Sequence, residues 1–153
     1  YEHWHPGYAW AARREALDHL GGLIDKAILG AGDNHMAHAL IGLIDQSMQK
    51  GLHPNYMAHL SRWATRAERF IRRDVGYVPG TLVHYWHGKK KDRRYHDRWK
   101  ILVDNQYDPE ADLKRDAQGL YQLVDHGDVR SIVLRDQIQA YFRSRNEDSV
   151  DIE

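Results

Sequence analysis

Three stretches carry side chains whose types and spacing suit chemistry. The first is Gly21-Gly22-Leu23-Ile24-Asp25 followed by Gly30-Ala31-Gly32-Asp33-Asn34-His35-Met36. Glycines permit tight backbone turns and close approach of a ligand, so this run can deliver the Asp33 carboxylate to the mouth of a helix. The same residue also has a purely structural use as a helix N-cap. The second is Val83-His84-Tyr85-Trp86-His87-Gly88, after Pro79-Gly80-Thr81. One imidazole in such a loop can complete a divalent-ion site whose other ligands come from elsewhere; loop histidines bonded to backbone explain the same pattern. His35 and His38 form another pair, at i and i+3, without the Glu of a His-Glu-x-x-His zinc motif. The third is the basic run Lys89, Lys90, Lys91, Arg93, Arg94, Arg98 and Lys100, with Tyr95 and Trp99 interleaved. It suits neutralisation of phosphate groups on a nucleotide or nucleic acid, or a solvated helix face.

The elements that must position these residues are mostly helical. Ala11–Leu20 reads as a short helix stopped by Gly21-Gly22. Leu23–Gly32 is a loop. Asp33 caps a helix over Asn34–Gln49, with Gly51 beyond its end. Pro54 starts a helix over Asn55–Arg73, striped by Tyr56, Leu60, Trp63, Ala67, Phe70 and Ile71 and ended by Gly76. Tyr77–Trp86 is β-branched and aromatic and reads as strand or extended loop. Lys89–Val103 is a basic helix, Asp108-Pro109 opens a short helix ending near Gly119, and Asp128–Arg145 is the last helix. The acidic end, Asn146–Glu153, frays.

The 153 residues match one ordinary domain, and the 42% hydrophobic and 29% charged content is that of a globular chain. No apolar run reaches the about 18–20 residues needed to cross a membrane, and no signal peptide is visible. Cysteine is absent. That excludes a disulfide scaffold, a zinc-thiolate site and a Cys nucleophile, and fits a reducing, cytoplasmic compartment. The formal net charge is zero, yet residues 1–52 carry −2, residues 53–100 carry +8 and residues 101–153 carry −6. A central basic band suggests an anionic partner, or pairing with the acidic flanks. The 11 His, 5 Trp and 9 Tyr suit metal ligation, proton transfer and stacking on sugars or bases. There is no internal repeat or low-complexity tract.

In order and rough spacing, Pro6-Gly7-Tyr8-Ala9-Trp10-Ala11-Ala12-Arg13-Arg14-Glu15-Ala16-Leu17, the Gly21-Gly22-Leu23-Ile24-Asp25 turn, Gly30-Ala31-Gly32-Asp33 and then His84 in Leu82-Val83-His84-Tyr85-Trp86-His87-Gly88 resemble the C-terminal half of a GT-A glycosyltransferase. The likeness is to inverting enzymes of the family 2 and galactosyltransferase C-terminal type, including phage-borne relatives, and it covers about residues 6–100. It implies an α/β, helix-rich fold whose few strands join a sheet begun upstream. Residues 1–105 would form the transferase-like region and 106–153 a helical extension of the same domain. It further implies that Asp33 is the general base toward a hydroxyl acceptor, a glycan or a modified nucleic acid. Trp10, Gly32, Asn34, His35 and Trp86 would line the substrate, and His84 would bind Mn²⁺ or Mg²⁺. Arg93 and Arg94, in the basic segment, would lie near the diphosphate of a nucleotide-diphosphate sugar. The carboxylate would take the acceptor proton as oxygen attacks the anomeric carbon, while a divalent ion and nearby cations stabilise the departing nucleoside diphosphate.

The family's Glu-Asp pair is here Asp33-Asn34, and no Asp-x-Asp metal motif occurs in these residues. With the nucleotide-binding half missing and Tyr1 in place of Met at the start, the chain reads as a fragment of a larger enzyme, as one that works with a partner chain, or as one that has lost catalysis. The alternative expectation is a non-catalytic helical module that binds nucleic acid or another polyanion through the 53–100 band. A stand-alone His-based metallohydrolase lacks a ligand triad.

Overall fold

The computed structural model describes residues 9–83 and 89–146. It is helix-rich, with one small sheet. Five α-helices, α1 (Arg14–Leu20), α2 (Gly32–Leu40), α3 (Pro54–Phe70), α4 (Arg98–Asp104) and α5 (Val129–Ser144), are joined by two 3₁₀ turns and by the strands β1 (Leu113–Arg115) and β2 (Tyr121–Leu123). The described helices are too short or too polar to cross a membrane. The chain clusters into two compact units, Tyr1–Lys50 with Met57–Leu82, and Gly51–Tyr56 with Val83–Glu153. The boundary expected near residue 105 therefore falls inside the second unit, and the first turn of α3 counts with that unit.

In the first unit, α1 ends where Gly21 turns left-handed (φ 74°) and its N–H returns to the last turn, as the Gly-Gly stop predicts. The helix expected over 34–49 is broken. Gly42 is left-handed (φ 77°), so α2 stops at Leu40 and a 3₁₀ turn follows over Ile44–Ser47. The Arg73 guanidinium packs over Gly42, where a Cβ would lie 2.6 Å from Nη2. Leu20, Ile24, Leu29, Ala37, Ala39, Leu60, Trp63 and Ala67 are buried. Trp63 Nε1–H donates to Gly22 O at 3.0 Å and Arg66 Nε–H to Leu20 O at 2.7 Å, which ties α3 to the Gly-Gly turn. α3 ends three residues earlier than its pattern suggests. The Arg72 N–H reaches back to Ala67 O, and Arg72 and Arg73 both adopt positive φ. This is the helix-ending geometry usually given to glycine; with side chains present, each left-handed residue costs about 1–2 kcal/mol. Residues 74–83 run on exposed and outside any strand, so the expected extended character is present here without sheet pairing. The remainder of that segment, 84–88, lies outside the described residues.

In the second unit, the expected basic helix over 89–103 is interrupted. A 3₁₀ turn over Lys90–Arg93 ends at Arg94 in the left-handed region (φ 45°), and α4 begins only at Arg98. The helix expected after Asp108-Pro109 is a turn followed by a hairpin. β1 and β2 pair antiparallel with Leu113 opposite Leu123 and Arg115 opposite Tyr121. The cause is Asp116, whose Oδ1 accepts the amides of Gln118 and Leu120, with Gly119 left-handed at the bend. α5 starts as predicted: the Asp128 carboxylate accepts the Ser131 N–H at 2.7 Å. Leu52, Tyr56, Leu102, Tyr107, Leu134, Ile138 and Tyr141 are buried. Tyr56 and Tyr107 meet edge-on at 6.0 Å.

Candidate functional site

Asp33 sits in the first turn of α2 and is exposed. It does not cap the helix; the capping position is Ala31, left-handed at φ 71°. Gly30 (φ 94°) precedes it, so two consecutive left-handed residues feed the chain into the helix. Gly32 follows, where a Cβ would lie 3.0 Å from the Ile24 carbonyl oxygen. Glycine lets the chain pass this close to the Ile24 carbonyl without crowding it. Asp33 Oδ1 accepts the amide of Asn34 at 2.8 Å, and Asn34 is half-buried beside it.

His35 faces the other way and is fully buried. Its Nδ1 lies 2.8 Å from Ser47 Oγ, and that hydroxyl donates to Ile44 O at 2.7 Å. The imidazole must therefore carry its proton on Nδ1 and donate to Ser47, which fastens α2 to the 3₁₀ turn. His38 Nδ1–H donates to Asn34 O at 2.9 Å. The two histidines thus serve separate structural bonds and do not converge. Trp10 is 46% exposed, ahead of α1. Trp10 and residues 32–35 belong to the first unit. His84 and Trp86 lie outside the described residues, as does His87. Among the described residues no group of three His, Asp or Glu is placed to hold a metal.

Arg93 and Arg94 belong to the second unit. The Arg93 carbonyl accepts the Tyr141 O–H at 3.1 Å, and its Nη1 lies 3.4 Å from Tyr95 Oη. Arg94 is exposed. With Lys91, Tyr95, His96 and Asp97 it lines a depression of about 260 Å³. Beneath this segment, Arg98 is buried, its Cζ 5.1 Å from the Tyr95 ring centroid and 5.9 Å from that of Trp99.

The densest polar cluster was not among the sequence candidates. Asp112 is 1% exposed. Arg130 grips it with two bonds, Nη2 to Oδ1 at 2.6 Å and Nη1 to Oδ2 at 3.0 Å. The Asp108 N–H donates to Oδ2 at 2.8 Å and His126 Nε2–H to Oδ1 at 3.0 Å. Burial is the largest influence on this carboxyl and opposes ionisation. The Arg130 bonds, the Asp108 amide, the Arg130 charge and the His126 bond together outweigh it and hold the group below its ordinary value. Arg130 is pushed up in return, first by its bonds to Asp112. Arg130 Nη1 also donates to Asn105 O, so one ion pair joins the end of α4, the 108–112 turn and the start of α5. Four donors of the chain converge on Asp112, so this knot braces the second unit. The legible signal was the Asp108-x-x-x-Asp112 spacing, which places the second carboxylate over the first residue's amide.

No protein-family model, curated protein or solved structure matches the chain.

Proposed function

We propose that this chain is the acceptor-side part of a GT-A-type glycosyltransferase that moves a sugar from a nucleotide-diphosphate sugar to a hydroxyl acceptor. The supporting observation is the turn at residues 30–33. Two left-handed residues and a glycine whose Cβ would crowd the Ile24 carbonyl end on an exposed carboxylate in the first turn of a helix. Unusual backbone of this kind persists where the surroundings over-determine it, and it concentrates at functional positions. In this reading Asp33 takes the proton of the acceptor hydroxyl as that oxygen bonds to the anomeric carbon, and the carbon–oxygen bond to the nucleoside diphosphate breaks. Asn34 flanks the acceptor; Arg93 and Arg94, in the second unit, keep the donor-phosphate role that the resemblance implies. A divalent ion, held in part by His84, would offset the charge of the leaving diphosphate.

The test is nucleoside-diphosphate release from a panel of sugar donors with Mn²⁺, on the protein that carries this chain at full length. Turnover that requires an acceptor and is lost in Asp33→Asn supports the reading. Absence of turnover with every donor, together with salt-sensitive binding to random duplex DNA, overturns it in favour of a polyanion-binding module.

A further inference from the structure

The geometry points to a metal-independent phosphate-binding site on the 91–98 segment, built over the buried guanidinium of Arg98. Arg98 is only 8% exposed. A guanidinium offers five N–H donors and a permanent charge. Among the described residues the Arg98 guanidinium makes one hydrogen bond, a long one of 3.5 Å from Nη1 to Tyr141 Oη, and no carboxylate pairs with it. Tyr95 and Trp99 give it ring faces, which compensate part of a desolvated cation's deficit. They do not replace an anion. A contrast lies in the same unit, where Arg130 has a bidentate carboxylate. Buried cations without an anion are disfavoured unless a partner arrives.

The surface beside Arg98 suits such a partner. Lys91, Arg94 and His96 line the 260 Å³ depression with Tyr95, and Tyr95 is also the ring on which Arg98 packs. Asp97 is the one acid in the wall, and Lys100 lies 3.8 Å from it. The loop is fixed in place. The Tyr141 hydroxyl holds the Arg93 carbonyl, and Arg94 is kept in the left-handed region despite its Cβ. An ammonium, a guanidinium and an imidazole around one concavity, with the Arg98 guanidinium behind its Tyr95 wall, match a compact anion with several oxygens, such as a phosphate or pyrophosphate group. A single depression with an acid in its rim matches a small ligand better than an extended polyanion. The charge comes from the chain's own cations, so no divalent ion is needed. The inference rests on the transferase reading only for the natural ligand, which would be the donor's diphosphate; anion binding is tested apart from it.

The experiment is calorimetric titration of the full-length protein with inorganic pyrophosphate in EDTA at two salt concentrations, on wild type, Arg94→Ala, Arg98→Lys and Arg98→Met. Circular dichroism accompanies each titration to show that the variant is folded. The expected result is binding without metal, weakened at least tenfold by Arg94→Ala on an unchanged fold, and weakened by Arg98→Lys, which keeps the charge but loses the planar fork. If Arg98→Met does not fold, Arg94→Ala and Arg98→Lys decide. Binding that appears only with Mn²⁺ overturns this inference and leaves the transferase reading standing. Binding in EDTA without sugar-donor turnover does the reverse. Equal binding by wild type and Arg94→Ala, or displacement of pyrophosphate by random duplex DNA at equal phosphate concentration, overturns it as well.

Discussion

Replacing Asp112 with Asn should unfold the second unit more readily than any other single isosteric change. Four donors converge on this carboxylate: two N–H groups of Arg130, the Asp108 amide and His126. An amide keeps the shape but turns one oxygen into an NH₂, which meets a donor whichever way it is flipped. Removing one partner of a buried ion pair costs about 3–5 kcal/mol. The Arg130 side chain is 36% exposed, so water replaces part of what is lost, and about 3 kcal/mol is expected. For a chain of this size that is a fall in Tm of about 6–12 °C. The assay is thermal unfolding followed by circular dichroism, repeated from neutral to acid pH. Because the carboxyl is held below its ordinary value in the fold, its stabilisation is fully present above about pH 4, where the unfolded group is ionised, and is lost as pH falls through the folded value. The gap between wild type and Asp112→Asn should therefore narrow below about pH 4. A variant that melts within a degree or two of wild type, or a gap that stays constant into acid, would refute the argument that these four donors act on a charge.

Gly32→Ala tests the turn. Alanine in a helix is normally better than glycine by about 1 kcal/mol, but here its Cβ would press on the Ile24 carbonyl at 3.0 Å. A net loss of about 1 kcal/mol or more is expected in urea unfolding, and a gain would contradict the close approach. Asp33→Asn should leave the melt nearly unchanged, since Oδ1 can still accept the Asn34 amide; on the proposed transferase reading, sugar-donor turnover should fall roughly 10²–10⁴-fold. Tyr141→Phe deletes the bond to Arg93 O and should cost about 1 kcal/mol; hydrogen exchange should rise at residues 91–97 and stay level in α2.

What the sequence disclosed followed signal strength. α3 and α5 were legible because Pro54 and Asp128 mark their starts and α3 carries a helical apolar stripe, and the Gly21-Gly22 stop was legible because glycine takes the left-handed turn there. The breaks inside elements were not. Gly42 looks like any helical glycine until the Arg73 guanidinium is seen lying over it, and Arg72, Arg73 and Arg94 adopt glycine-like backbone with no glycine to announce it. The hairpin escaped because its strands are three residues each; the Asp116-x-x-Gly119 turn was its only strong local sign. At the site, Asp33 and its turn were visible from composition. The inward rotation of His35 was not, because its cause, Ser47, lies twelve residues on. Asp112 was missed, and Arg98 was read only as one cation of the basic run, for the same reason: a carboxylate's partners and a cation's burial are facts of three dimensions.

The edge-on pair Tyr56 and Tyr107 gives the protein an upper limit of alkalinity. Burial pushes both phenols well above their usual range; for Tyr56 the nearby Arg98 charge offsets a little of this, and for Tyr107 neighbouring acids and tyrosines add to it. In the unfolded chain such groups ionise near about pH 10. The stabilisation from keeping them protonated is thus intact below that pH and is lost as pH climbs beyond it. The two hydroxyls then act as a fuse. Phenolate absorbance from this pair should not grow in gradually with base but should arrive together with loss of helix, as the second unit gives way and releases two protons at once.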